Sequence, residues 1–398
     1  MKARTILHVD LDAFFCAVEA LLDPSLVGKP HAVGGSPDGR GVIASASYEA
    51  RAFGVRSAMP SAQALRLCPQ LILLKGRHSL YGQYSRQVMD ILQDAAPVIE
   101  QISIDEAFLD VSDDPEAGRQ IAARLQARIL QETSLPTSWG VASNKLVAKI
   151  ATDEGKPNGL VVVPAGTEAE FLAPLPVRRL WGVGPKTAER LAEVGVETIG
   201  ELAQLSDSRC KALFGEHGPD LAARARGIDD RPLISEHDPR SLSAERTFAT
   251  DLTDEQELAR QMLSMSETVG RRLRKAGLAG MTVKIKLRWS DFTTITRQTK
   301  LAQPTDQDGE IFNAAQVLFK QAWKPGRPVR LLGVGVADLG PPSRQLNLFD
   351  QSWQVEGRLL SAIDDIRQRF GSDAVRRAGR LRKGRNDEDQ SKDNLEAD

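Results

Sequence analysis

Two acidic runs stand where apolar segments end, ILHVDLD near the start of the chain and QISIDEAFLDV further along. In the first, apolar and polar residues alternate as in a half-buried strand that closes on Asp10, with Asp12 just beyond it. In the second, Gln101 to Ile104 and Ala107 to Val111 both read as strand with no Gly or Pro between them, so Asp105 and Glu106 fall at the join. Adjacent strand residues point to opposite faces, so both acids reach one ion only if the chain turns there. Asp10 is the third carboxylate if the two strands are neighbours. Acids set among core-bound residues are costly unless something cationic meets them. Three carboxylates with no His or Cys among them suit a hard, oxygen-seeking ion such as magnesium rather than zinc. Two such ions, about 3.5–4 Å apart, clamp the attacking and leaving oxygens of an in-line phosphoryl displacement.

A second chemistry is written in Gly182-Val183-Gly184-Pro185-Lys186, between two helical stretches. Its glycines let backbone approach a phosphate, and the helix that follows offers free N–H groups and the positive end of its dipole. This is a helix-hairpin-helix signature, a grip on the nucleic-acid backbone that ignores base sequence. Lys284, Lys286 and Arg288 in strand alternation, and Arg297 with Lys300, add candidate phosphate contacts, some of them on the far face of their sheet.

The elements that must position these groups follow from the same patterns. After ILHVDLD, the run FFCAVEALLD carries an apolar face at helical spacing. From Gly28 to Pro69 the chain is dense in Gly, Pro, Ser and Ala, with a strand-like VIASAS and a short helical YEARAFG, which makes a small lobe of limited core volume. Helices are expected over Tyr81 to Ala95, Pro115 to Glu132 and NKLVAKIATDEG, and a strand over Thr137 to Ala142. The order strand, helix, hairpin, helix, strand suits an antiparallel sheet with helices on one face. A second unit after Pro164 reads as all-helical, and Ile228 to Ser241 as a linker. A third, roughly Ser243 to Leu339, mixes three strands with two helices. Beyond Gly340-Pro341-Pro342 lie QLNLFD and a helix whose Leu359, Ile363, Ile366 and Phe370 share a face. The acid-rich stretch Asn386 to Asp398 is expected to be disordered.

Taken together, HVDLDAFFCAVE, SYEARAFGVRSAMP, SIDEAFLDV and KPNGL, in this order, resemble the Y-family translesion DNA polymerases, with the likeness running from about Ile6 to Leu339 plus QLNLF. The resemblance implies an α+β multidomain right hand. A ferredoxin-like palm spans 1–20 and 70–165, small fingers 21–69, and a helical thumb carrying the helix-hairpin-helix 166–235. A linker covers 236–242, an α/β little finger 243–340, and a tail 341–398 with a clamp-binding peptide at 345–349 and a helix at about 355–371. It implies two magnesium ions held by Asp10, Asp105, Glu106 and the backbone carbonyl of Leu11, with Glu106 nearest the primer 3′-hydroxyl that it helps to ionise. Phe14 and Phe15 fall in the implied nucleotide-binding set, Phe14 with core packing of the helix start as its other reading, and Phe15 matches the steric gate, a ring that collides with a ribose 2′-hydroxyl. Tyr48 and Arg51, three apart on a helical turn, match the triphosphate-binding set with Ser45 and Lys156. Gly182, Gly184, Lys186, Arg246 and Arg297 are the expected DNA contacts. Gln345, Leu346, Leu348 and Phe349 match the bacterial sliding-clamp peptide, a polar anchor and apolar side chains on a tether. The implied partners are primer-template DNA, deoxynucleoside triphosphates and the sliding clamp. The implied work is low-fidelity translesion synthesis in repair and damage tolerance. With the palm at the very start of the sequence no proofreading exonuclease is expected, and the fingers are small enough for a loose grip on the nascent pair.

Composition bounds the rest. The chain has 398 residues, 41% hydrophobic and 26% charged, which fits two to four domains with real cores. Cys16, Cys68 and Cys210 are far apart, which argues against a disulfide framework or a cysteine zinc site. No signal-like or membrane-spanning run is evident, so a cytoplasmic monomer is expected. A formal net charge of -1 looks wrong for a DNA binder. From Arg240 to Gly340, however, 16 Lys and Arg stand against 11 Asp and Glu, a local +5 that leaves -6 on the remainder. Two other readings stay open: a catalytically silent DNA-binding, clamp-interacting accessory protein, and another two-metal nucleotidyl transferase or cyclase. The complete acid set disfavours the first. The second has no use for a hairpin phosphate grip and a clamp peptide.

Overall fold

The structure, a computed structural model, describes residues 4–114, 116–235, 238–343, 352–371 and 374–375. The chain divides into two compact units. The first takes in residues up to Ser36 and Gly41–His237, while the second runs on from Asp238 and includes the short segment Pro37–Arg40.

In the first unit, β1 (Ile6–Leu11) turns through Ala13 into α1 (Phe14–Leu22). Ala13 has a left-handed φ of 47°, a conformation that costs a non-glycine residue about 1–2 kcal/mol. A small lobe follows: β2 (His31–Gly34), β3 (Ile43–Ala46), α2 (Tyr48–Ala52), α3 (Ser61–Leu67) and β4 (Ile72–Leu74). Its sheet has the order β3-β2-β4. Its core, Ala32, Ile43, Ala46, Ala50, Val55, Ala64, Cys68 and Leu71, is made mostly of small side chains, as the composition suggested.

The chain then builds the main sheet. α4 (His78–Gln93) leads to β5 (Val98–Gln101) and β6 (Glu106–Asp110). α5 (Gly118–Thr133), β7 (Thr137–Ala142), α6 (Lys145–Gly155) and β8 (Leu160–Val162) complete it. The strand order is β5-β6-β1-β7-β8, antiparallel except for β8, which lies parallel to β7. Without β8 this is the expected ferredoxin-like arrangement.

Strand alternation divides β1 between two cores. Leu7, Val9 and Leu11 join Tyr81, Val88, Ile121 and Leu125 on one face, whereas Ile6 and Phe108 join Leu146, Val147 and Ile150 of α6 on the other. Asp10 shares the period of Ile6 and His8 and so belongs to the α6 face. Gly140 lets α6 lie directly on β7, because a Cβ there would stand 2.0 Å from the Ala148 carbonyl oxygen.

The helical part consists of α7 (Glu168–Leu172), α8 (Pro185–Ala192), α9 (Ile199–Gln204), α10 (Asp207–Phe214) and α11 (Gly218–Ala225). Leu191, Ile199, Leu202, Cys210 and Ala222 extend the α6 core. The stretch read as a linker from Ile228 is tied down through Ile234. Asp229 accepts from the Leu146 amide at 3.1 Å and from Arg231, and the Ile234 amide donates to Glu100 at 3.0 Å. Asp229 thereby meets a free amide at the start of α6, a long-range role that local composition does not reveal.

The second unit comprises β9 (Ser241–Leu252), α12 (Glu255–Lys275), β10 (Ala279–Trp289), β11 (Thr294–Thr305), α13 (Asp308–Ala322), β12 (Val329–Gly340) and α14 (Ser352–Phe370). The antiparallel sheet runs β11-β10-β12-β9. α12 and α13 cover one face, packing Leu258, Met262, Val269, Ile311 and Phe319 on Val283, Ile285, Leu287 and Val334. β9 was not evident in the sequence because, as an edge strand, it buries only Phe248.

α14 starts slightly earlier than expected and docks on this unit through Leu360, which is 1% exposed. Arg367 pairs with Glu267 at 3.2 Å, Arg274 bridges Asp308 and Asp364, and Gln307 donates to the Trp353 carbonyl. The shared apolar face seen in the sequence points away from this contact, with Leu359 and Phe370 exposed.

Candidate active site

Antiparallel register sets Asp10 directly opposite Glu106, and the two carboxyl groups share a hydrogen bond. Asp105 lies in the turn before β6, where its carbonyl accepts from the Leu11 amide at 3.0 Å. This bond carries the β1–β6 pairing one residue past Asp10 and Glu106, and the bend that joins β5 to β6 ends at Asp105. Two lysines from the α6 side meet the acids: Lys149 is 2.7 Å from Glu106, and Lys156 is 2.6 Å from Asp10 and 2.9 Å from Asp153.

Burial, followed by the hydrogen bond with Glu106, pushes the Asp10 carboxyl up to about 8. Burial acts upward on Glu106 too, but the Asp10 hydrogen bond and Lys149 outweigh it and hold that group down at about 2. Of the two, Asp10 is therefore the carboxyl that favours its proton and Glu106 the one that favours its charge. The Asp105 carboxylate accepts from the Ser103 hydroxyl at 2.5 Å. With the lysines and Ser103 engaged in this way, no three His, Cys, Asp or Glu side chains among the described residues converge on one point as an ion's cage would.

Beside the acids, Phe14 is 2% exposed in the core, whereas Phe15 is only partly buried. The Phe15 ring stacks on Tyr81 with centroids 4.2 Å apart and an interplanar angle of 13°, and His78 meets its edge. Tyr81 donates to Glu19 at 2.5 Å, and Glu19 in turn pairs with Arg77. A ring clamped in this manner is a bulky, immobile surface.

The four residues expected at the triphosphate lie in one neighbourhood. Ser47 caps α2 through the Ala50 amide, which puts Tyr48 at the first turn. Arg51 lies over the Tyr48 ring at 4.6 Å and donates to the Ala46 carbonyl. Tyr48 donates to Asp12 at 2.7 Å. Ser45 is turned to the Cys16 thiol, which burial pushes up to about 11. Lys156 is engaged with Asp10, as above.

Gly182 has φ +99°, which only glycine adopts freely, and Gly184 caps α8 with Pro185 in its first turn. Nothing lies within 4 Å of a Cβ built at Gly184, and Lys186 is exposed. The element before the hairpin is a 3₁₀ turn, Val177–Arg179, rather than an α-helix.

Register divides the basic residues of the second unit. Lys286 lies opposite Gly333 and pairs with Glu245 on the face away from α12 and α13, and Lys284 and Arg288 share that face. Arg297 lies opposite buried Ile285, and Arg246 opposite buried Leu332 with its guanidinium on Gln261 of α12, so both stand at sheet edges on the helix side. The peptide Gln345, Leu346, Leu348 and Phe349 lies outside the described residues.

Sequence reasoning missed Lys149 and Tyr81, and read Asp12 as structural only. Lys149 had a signal, since it stands one helical turn from Lys145, and each lysine answers an acid of the hairpin, Lys145 reaching Glu100 at 2.8 Å. No helix is long and apolar enough to cross a membrane among the described residues.

Residues 9–153 match the impB/mucB/samB family, residues 239–348 its C-terminal domain and residues 166–196 the IMS family HHH motif. The chain is 42% identical over 379 residues to a DNA polymerase IV of Dehalococcoides mccartyi, covering 94% of this chain and 97% of that one. It is 44% identical over 382 residues to DNA polymerase IV of Desulfatibacillum aliphaticivorans, covering 94% and 96%. The solved Y-family DNA polymerase chimera Dbh-Dpo4(243-245)-Dbh is similar with a TM-score of 0.77 and 26% identity, over 85% of this chain and 99% of that one.

Proposed function

Since the chain belongs to the Y family of DNA polymerases, in its DNA polymerase IV branch, and is a DNA-directed DNA polymerase, we propose that it performs low-fidelity translesion synthesis with two magnesium ions at Asp10, Asp105 and Glu106. The observation that carries this reading is the register of Asp10 against Glu106 with Asp105 at the adjoining turn. The donors are all oxygens, and two ammonium groups already stand against Asp10 and Glu106, so the acids already accept positive charge. That fits a hard divalent cation. With the Leu11 carbonyl as a further ligand, bound magnesium supplies Lewis-acid activation and charge neutralisation in the phosphoryl displacement.

The chain's own groups do the rest. Glu106 stands nearest the primer 3′-hydroxyl and helps to ionise it. Arg51 and Lys156 neutralise triphosphate charge, and Tyr48 and Ser45 donate hydrogen bonds to it. Phe15, held by Tyr81, leaves no room for a 2′-hydroxyl, so Phe15→Val raises ribonucleotide incorporation at least about tenfold, read in single-nucleotide extension. The Gly182–Lys186 hairpin and the basic sheet face of the second unit hold duplex backbone, and QLNLF tethers the enzyme to the sliding clamp. The small side chains of the lobe's core support a loose grip on the nascent pair, and with it lesion tolerance.

Primer extension tests the whole. The unmodified protein extends a primer past a template lesion only when magnesium is supplied, and Asp105→Asn abolishes this. Absence of magnesium-dependent extension by the unmodified protein overturns the reading.

A further inference from the structure

Asp12 has no part in the metal set, yet it is 2% exposed and gathers three donors from three segments of the first unit. Its Oδ1 accepts from the Tyr48 hydroxyl of α2 at 2.7 Å. Its Oδ2 accepts from the Ser138 hydroxyl of β7 at 2.8 Å and from the Asn158 amide at 2.8 Å, just after Lys156 and Pro157. The Asp12 amide donates to the Pro136 carbonyl, which fixes the carboxylate's own backbone. A buried carboxylate with its acceptors filled in this way is a rigid joint. Here it joins the small lobe to the loop that carries the second cationic triphosphate contact.

We propose that Asp12 is a positioning residue for the incoming nucleotide: it orients Tyr48 and the Lys156–Asn158 loop as one body, and so sets triphosphate affinity rather than the bond-making step. Burial, and then Asp12 itself, raises the Tyr48 hydroxyl above its ordinary value, so it remains a donor. A hydroxyl carries a single proton. Nucleotide binding therefore exchanges one acceptor for another, Asp12 for a phosphate oxygen, with the ring already in place. An asparagine at this position cannot accept on both sides. Its amide nitrogen faces either Tyr48 or the Ser138–Asn158 pair, and one of the two loses its acceptor.

The inference rests on Tyr48 and Lys156 being triphosphate contacts, and the test separates the two claims. KM and kcat for single-nucleotide extension are measured for the full chain, Asp12→Asn, Tyr48→Phe and the double variant, with thermal unfolding of each. Asp12→Asn raises KM about tenfold and changes kcat less than about threefold, and the double variant is no worse than Asp12→Asn alone by more than about threefold. An unchanged KM, a loss confined to kcat, or fully additive losses overturn the proposal. If Tyr48→Phe alone leaves KM unchanged, Tyr48 is not a triphosphate contact and the inference falls with that reading. If Tyr48→Phe raises KM while Asp12→Asn does not, only the positioning role falls. Should Asp12→Asn fail to fold, Ser138→Ala removes one donor from the same carboxylate and is expected to raise KM two- to threefold at unchanged kcat, about 0.4–0.7 kcal/mol in ground-state binding; no change in KM overturns the proposal.

Discussion

At the end of the main sheet Lys149 and Lys156 pair with Glu106 and Asp10, whereas in the second unit Arg367 pairs with Glu267 and Arg274 with Asp308 and Asp364. Side-chain exposure separates the two sets only in part. Glu106, Lys156, Lys149 and Asp10 keep 20%, 21%, 13% and 10%, Asp364 and Arg274 overlap them at 20% and 10%, and Glu267, Arg367 and Asp308 fall to 3%, 7% and 1%. Lysine brings a compact charge on a flexible stem, which can leave and return; the arginine fork is geometrically committed. On the proposed function the lysines are the counter-charges that a metal ion or a triphosphate replaces, while the arginines rivet α14 to α12 and α13. Similar distances thus join different head groups in the two places, a lysine ammonium in one and an arginine fork in the other.

The largest expected effect strikes the exchangeable set. Glu106→Gln lowers primer extension at least about a thousandfold, because a group acting on the reacting oxygens is lost, while its melting temperature stays near that of the unmodified chain. A large fall in melting temperature instead would class Glu106 with the structural acids. Next comes Arg367→Met, which leaves Glu267 buried without that partner and costs the second unit about 3–5 kcal/mol, measured by urea unfolding. A loss below about 1 kcal/mol would mean that α14 is held by Leu360 and its neighbours rather than by the ion pairs. Lys149→Met should cost only about 1 kcal/mol in the same measurement, since both partners reach solvent, and it should lower the magnesium concentration giving half-maximal extension. Destabilisation equal to that of Arg367→Met would erase the distinction. Smallest on the isolated enzyme is deletion of residues 345–349: extension of short primers is unchanged, while stimulation by a sliding clamp disappears. A deletant that is still fully stimulated refutes the tether.

Much of the acid cluster was legible in the sequence, for a definite reason. Strand alternation is local, so ILHVDLD by itself puts Asp10 on a chosen face, and the hairpin by itself puts Asp105 and Glu106 at a turn. Asp12 was legible only as a carboxylate, because Tyr48, Ser138 and Asn158 come from remote positions and no local period links them. Tyr81 was hidden in an ordinary amphipathic helix. β9 was hidden by exposure, and the hold on Ile228 to Ile234 by depending on Glu100 and Asp229. For α14 the apolar stripe was seen correctly, but the docking face proved to be the other one, where Leu360 is buried and Asp364 and Arg367 meet ionic partners on α12.

Residue types and short periods alone laid out the groups this protein can offer: three acids at strand ends, a ring behind them, a tyrosine and an arginine on one helical turn, and a glycine hairpin before a helix. Residue type and short periods fix those, since they depend on covalent geometry and neighbouring residues. Only the tertiary structure decided which acid faces which, which cations attend them, and that Asp12 binds three segments together. Such choices depend on register and packing between residues far apart in the chain, and a one-residue slip in β1 would turn Asp10 and His8 into the opposite core.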